Sequence, residues 1–164
     1  MRKIVLIVHN VRSCHNVGSL LRTAEGLGVE TVYLTGYTPY PHKEHDERLP
    51  HIANKIHKQI QKTALDAEEQ VNWEQQTDVF ELIDRLKAKG YKIAAVEQST
   101  NATKLHEWMP TEQTALLVGR EVEGVEPEVL AACDACLEIP MFGKKESFNV
   151  VQAAAMAMYH CRFA

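Results

Sequence analysis

The chain has 164 residues, 45% of them hydrophobic and 24% charged, and a formal net charge of -4. That length and composition fit one ordinary globular domain, 1–164, able to bury a core, and the negative balance excludes a broadly basic surface gripping long nucleic acid through many phosphates. Four cysteines, Cys14, Cys133, Cys136 and Cys161, are too few and too unevenly spaced for a secreted disulfide framework, so reduced thiols are expected.

The opening MRKIVLIVHN carries a short apolar run, Ile4–Val8, that ends at once in His9, Asn10 and Arg12, so it reads as a strand and not as a signal peptide. No stretch approaches the roughly 18 consecutive apolar residues of a membrane span, and a cytoplasmic protein is expected. Lys3–His9 is continuous and β-branched, as for a parallel strand covered on both faces. After a polar loop, 10–16, Leu20, Leu21, Ala24 and Leu27 fall at helical spacing within Gly18–Gly28. Val29–Leu34 is the next strand, which makes the first unit strand, helix, parallel strand.

From Tyr37 to about Asn72 the pattern loosens around Pro39, Pro41 and Pro50 and a run of histidines and lysines between 42 and 62, read as a long loop with short helices. Val79, Leu82, Ile83 and Leu86 place a helix over 77–89, stopped by Gly90. Tyr91–Val96, Thr114–Val118 and Cys136–Ile139 are further strands, with a short helix from Pro127 to about Ala132. The last helix, about Phe148–Tyr159, is apolar or alanine on nearly every side and is expected to be buried all round, in the core or against a second subunit. The fold class is α/β, a mostly parallel sheet flanked by helices.

Three polar clusters follow strands, where open α/β sheets place ligands. Asn16, Gly18 and Arg22 lie at the first strand-to-helix turn, where Asn16 is equally a helix cap and Arg22 a surface charge. Gly119 and Gly124 bracket Glu121 in a loop that lets a ligand approach bare backbone, or that simply turns before Pro127. It has neither the dinucleotide nor the P-loop glycine spacing. Ile139-Pro140-Met141-Phe142-Gly143 leads to Ser147-Phe148-Asn149-Val150, two cap-type residues at the mouth of an apolar helix, more than one cap requires.

In this order and spacing the clusters resemble the three motifs of the SpoU-type (TrmH-like) RNA 2′-O-ribose methyltransferases of the SPOUT superfamily. The resemblance covers most of the chain and is weakest over 37–77. It implies a five- or six-stranded parallel sheet, a C-terminal trefoil knot that periodicity cannot reveal, a homodimer, and S-adenosylmethionine as cofactor. It further implies that Arg22 engages the 2′-hydroxyl and the neighbouring phosphate, with Asn16, Glu121, Ser147 and Asn149 orienting it or the substrate. Because an arginine is normally fully protonated, a literal base role is left open. The cofactor is expected against Gly119, Ile139, Met141 and Ser147, with Phe148 on the adenine and Val96 and Glu97 across the pocket. Phe148, Arg120, Val122 and Glu123 depart from the usual pattern and bear on specificity more than on activity.

Cys133-Asp134-Ala135-Cys136 lacks the second paired half of a zinc site, and no metal is expected. The histidine- and lysine-rich segment, with Arg2, Lys3, Arg12, Lys144 and Lys145, is a candidate local RNA surface. With no separate RNA-recognition domain expected before the first motif, a compact tRNA loop is favoured over an rRNA site. The rival readings are a catalytically silent RNA-binding module of the same fold and a small-molecule or nucleotide-binding α/β protein, the latter disfavoured because 13–18 is not glycine-rich.

Overall fold

A computed structural model describes residues 1–164. In chain order its elements are β1 (Lys3–His9), α1 (Cys14–Gly26), β2 (Thr31–Thr35), α2 (Pro50–Ala64), α3 (Ala67–Gln70), β3 (Trp73–Gln76), α4 (Val79–Ala88), β4 (Lys92–Val96), β5 (Thr103–Lys104), β6 (Gln113–Val118), α5 (Pro127–Ala132), β7 (Ala135–Glu138) and α6 (Val150–Phe163). The strands form one seven-stranded sheet, β3-β2-β1-β6-β4-β7-β5, in which every pairing is parallel. The sheet exceeds the expected five or six strands by its edges: β3 is half-exposed and β5 is two residues long, too short for an apolar run to mark either.

Strand alternation divides the interior into two cores. Ile4, Leu6 and Val8 of β1 face the helices α1, α2, α3 and α6 together with Leu116 and Val118 of β6, whereas Val5, Ile7, Ala115 and Leu117 face α4 and α5. The register pairs Ile4 with Thr114 through Val8 with Val118, so β1 and β6 end level with each other. β4 and β7 are in register from Ala94/Ala135 to Val96/Leu137, and their carboxyl ends open on the same rim. That rim carries the candidate site.

Three helices differ from their sequence reading. α1 starts at Cys14, because Ser13, and not Asn16, is its cap: the Ser13 hydroxyl accepts the Asn16 N–H at 3.1 Å. Segment 50–64 is one 15-residue helix with Pro50 in its first turn, carrying Ala53, Ile56, Ile60 and Ala64 along one stripe. It lies close on α1 at Gly18, where a Cβ would run into the Ile60 carbonyl and approach Ala64 N to 2.9 Å. The motif glycine therefore has a packing reason at its own position. Within one chain α6 is not buried all round, so the core alone does not cover it. Ala154, Ala157, Met158 and Cys161 are buried, while Val151 and Ala155 are half-buried and Tyr159 and Phe163 are exposed, their rings 4.6 Å apart. No helix is long and apolar enough to cross a membrane.

The segment before α2 is pinned, not loose. Arg48 forms a bidentate pair with Asp46, Nε to Oδ1 at 2.9 Å and Nη2 to Oδ2 at 2.6 Å. It also donates to the Tyr40 and Pro41 carbonyls and stacks 3.7 Å over the Tyr40 ring. With four of the five N–H donors of its guanidinium bonded within the chain, Arg48 serves the fold and not the expected RNA surface. The same bonds hold the Asp46 carboxyl far below the usual carboxylate range.

Candidate functional site

An open cavity of about 230 Å³ sits at the carboxyl ends of β4, β6 and β7. Three strand exits and the start of α6 supply its walls: Val96–Gln98, Val118–Gly124, Leu137 with Ile139, and Glu146–Phe148 with Val150 and Ala153. Gly119 is needed where β6 turns away, since a Cβ there would lie 2.8 Å from Val125 Cγ2 and 3.1 Å from its backbone. Gly124 takes φ +74, the left-handed region that glycine enters without steric cost, and a Cβ there would strike the Glu97 carboxylate.

Glu97 organises this wall. Its Oε2 accepts the Val125 N–H at 2.9 Å and its Oε1 the Gln98 N–H at 2.8 Å. Gln98 in turn donates from Nε2 to the Glu146 carbonyl at 2.7 Å, which ties the loop before α6 to the end of β4. Glu121 joins the cavity to α1. Its carboxylate accepts the Ser13 N–H at 3.1 Å, the Arg12 N–H at 3.3 Å and, at the 3.5 Å limit, the Asn16 side-chain amide. Partial burial favours the neutral acid, but these donors outweigh it and hold the Glu121 carboxyl below the usual range, so it is ionised at neutral pH.

Behind the loop lies a polar network that composition did not announce. The His9 ring is buried, with Nδ1 2.8 Å from the Thr35 hydroxyl and Nε2 3.2 Å from Asn10 Nδ2. The Thr35 hydroxyl donates to the Val8 carbonyl at 3.4 Å, so the pattern is that of a neutral ring protonated on Nδ1. Asn10 donates to Glu126 Oε1 at 2.9 Å, and Arg120 approaches the same oxygen at 3.4 Å while donating to the Gly124 carbonyl. Burial lowers the His9 pKa, opposed by Glu126 and helped by Arg120.

Of the residues singled out from sequence, Val96, Glu97, Gly119, Glu121, Ile139, Ser147 and Phe148 line the cavity, and Asn16 reaches it through Glu121. Met141 is half-buried outside the lining, and Asn149 caps α6, its Oδ1 accepting the Val151 N–H at 2.8 Å. Arg22 lies on the exposed side of α1, outside the cavity, with no hydrogen bond or ion pair to its side chain. Sequence reasoning missed Gln98, Glu146 and the backbone N–H groups of Arg12 and Ser13; their roles depend on contacts across 48 and 108 or more residues that no local pattern carries. The Cys133 and Cys136 thiols donate to different carbonyls, those of Val129 and Glu97. His57, Glu68 and Glu69 bring potential ligand atoms within 4.8 Å of one another, but His57 Nδ1 accepts the His42 N–H, which places the neutral ring's proton on Nε2 and leaves no free lone pair there for an ion.

The family model described as SpoU rRNA Methylase matches residues 3–159. The chain belongs to that family. Among relatives of this SpoU chain, a tRNA (guanosine(18)-2'-O)-methyltransferase of Borreliella burgdorferi is 26% identical over 156 residues, 95% of this chain and 64% of the relative. A Staphylococcus aureus protein named for the TrmH family of tRNA/rRNA methyltransferases is 31% identical over 155 residues, 94% of this chain and 56% of the relative. This chain thus spans less than two thirds of the length of either. The AdoMet-bound rRNA methyltransferase of Sinorhizobium meliloti superposes with a TM-score of 0.81 at 18% identity, over 98% of this chain and 56% of that one, a likeness of fold.

Proposed function

We propose that residues 1–164 act as a single methyltransferase domain that transfers a methyl group from S-adenosylmethionine to a ribose 2′-hydroxyl of RNA, with tRNA favoured over rRNA. The observation that carries this reading is the cavity at the ends of β4, β6 and β7, bounded by an ionised Glu121 that is bonded in turn to the first turn of α1. The cavity fits such a cofactor. Gly119 offers bare backbone, the Glu97 oxygens keep a lone pair each for sugar hydroxyls, and the Phe148 ring is 37% exposed for a purine face. S-adenosylmethionine supplies an electrophilic methyl group when bound.

The chain's own residues position the nucleophile. Arg22, a permanent cation with no partner, is suited to a backbone phosphate and to the hydroxyl beside it. Asn16 bonds Glu121, the unbonded Ser147 lines the same cavity, and Asn149 caps α6 where it leaves it. Because Arg22 stands outside its own chain's cavity, the reading calls for a homodimer. The ridge Val151, Ala155, Tyr159 and Phe163 is the apolar surface a second copy would cover, so sedimentation at micromolar concentration is expected to give a dimer. Tyr159→Glu, at an exposed position, should give a folded monomer; a wild-type monomer overturns this part of the proposal. The family resemblance also supports a trefoil knot in the C-terminal part of the chain, and four free thiols fit a reducing cytoplasm.

The test is incubation with labelled S-adenosylmethionine and tRNA or rRNA lacking the modification, followed by nucleoside mapping. Label in a 2′-O-methylated nucleoside of tRNA is expected. Label only in rRNA corrects the substrate; label in a base, or none, overturns the function and favours a silent RNA-binding module.

A further inference from the structure

The chain holds two arginine–tyrosine pairs on the surface that leads to α2, and they are built for different ends. In one, Arg48 stacks 3.7 Å over Tyr40 with its guanidinium bonded to Asp46 and two carbonyls, a closed structural clamp. In the other, Arg12 stands 5.8 Å from the Tyr37 ring centre, and its guanidinium bonds to no acceptor. Tyr37 is 52% exposed and its hydroxyl is unpaired as well.

Tyr37 has an exposed side chain on a main chain that is fixed. Its N–H donates to Asn10 Oδ1 at 3.0 Å, and the preceding Gly36 has φ +61, where a Cβ would collide with the Asn10 side chain. On the other flank the buried Thr38 hydroxyl donates to the Val8 carbonyl at 2.9 Å and accepts the Val11 N–H at 3.1 Å. Arg12 is positioned through its own N–H, which donates to Glu121 Oε2. The pair lines a second cavity of about 360 Å³ with Ser13, Arg120, Glu121, Val122 and Glu123. Residues 120–123 also line the first cavity, so one short loop separates the two.

We propose that Tyr37 and Arg12 form a stacking platform for an unpaired nucleobase of the RNA, next to the nucleotide whose ribose faces the first cavity. The inference rests on the reading of the chain as an RNA 2′-O-methyltransferase. An exposed aromatic face on a fixed main chain stacks any base without reading its edge, and a free guanidinium adds a second plane or a phosphate contact. A chain of net charge -4 needs such a local, largely non-ionic grip on its substrate.

Two measurements test the platform in the full chain. Tyr37→Ala is expected to weaken binding of a fluorescent RNA substrate, followed by anisotropy, roughly ten-fold or more, and to raise KM for RNA alike. Tyr37→Trp should retain binding, and S-adenosylmethionine affinity by calorimetry should be unchanged in both. An RNA with an abasic nucleotide beside the target should lose the same factor on the wild type and nothing further on Tyr37→Ala, since the two changes remove one contact. Equal RNA affinity in wild type and Tyr37→Ala, or an abasic loss of the same size in both proteins, overturns the platform. A wild type that binds RNA but transfers no methyl refutes the proposed function instead, and the anisotropy still reads the platform.

Discussion

The wall of the first cavity and the outer face of α1 are built on opposite terms. On the wall, Glu97, Gln98 and Glu121 each spend their polar atoms on backbone groups, and Gly119 and Gly124 take the only side chain, a hydrogen, that the turns admit. On α1, the exposed Arg22 side chain makes no hydrogen bond or ion pair. The difference teaches that a ligand-shaped recess can be complete within one chain while the charge assigned to the substrate waits for something outside it.

The sharpest way to break that division is Arg22→Ala. Loss of a charged group acting on the transferring centre costs on the order of 100- to 1,000-fold in kcat. Because Arg22 is outside the recess, S-adenosylmethionine affinity measured by calorimetry should stay at the wild-type level. A weaker cofactor affinity would merge the two regions into one.

The wall is probed next by a pair of glycines. Gly124→Ala forces a left-handed alanine, about 1–2 kcal/mol, and pushes a methyl into the Glu97 carboxylate that holds Val125 and Gln98. Thermal stability and cofactor affinity should fall together. Gly143→Ala, where a Cβ meets nothing within 4 Å, should leave both unchanged; a loss at Gly143 equal to that at Gly124 would mean the rigid wall is not the cause.

How far the site was legible follows the same divide. β1, β6 and α4 could be read because continuous or 3.6-spaced apolar residues are what two-sided burial demands, and the rim followed from strand ends. α2 was legible in principle from Ala53, Ile56, Ile60 and Ala64, but the prolines and histidines around it obscured a stripe that includes two small residues. Ser13 and Asn16 are both cap residues, and only backbone geometry gives the place to Ser13. The His9, Asn10 and Glu126 network joins residues more than a hundred positions apart, and no periodicity records it.

That network gives a smaller effect with a definite sign. The folded His9 ring binds its proton less readily than the unfolded one, whose ordinary value is 6.5, so stability is lost as pH falls through that region. Glu126 and Glu121 act in the same direction at lower pH. Burial raises both, but Asn10 and its own backbone N–H outweigh this for Glu126, as Ser13, Arg12 and Asn16 do for Glu121; stability present above the ordinary carboxylate value of 4.5 is lost as pH drops through their lowered folded values. Melting temperatures should decline from about pH 7 towards about pH 5, and His9→Gln should flatten the upper part of that decline. An unchanged profile in His9→Gln would remove His9 from the account.

The finest cut falls between two neighbours at the mouth of α6. Ser147 makes no hydrogen bond, whereas Asn149 caps the helix through Val151 N–H. Asn149→Ala should therefore cost about 1 kcal/mol of stability and Ser147→Ala nothing measurable. Asn149→Asp keeps the cap, because a carboxylate accepts the same N–H and suits the positive end of the helix, but it puts a negative charge where RNA is proposed to approach. If Asn149 serves only the helix, Asn149→Asp restores stability and methyl transfer together. Restored stability with transfer still lost would place Asn149 on the substrate side, with Arg22, and leave the cavity wall to the residues that are already bonded.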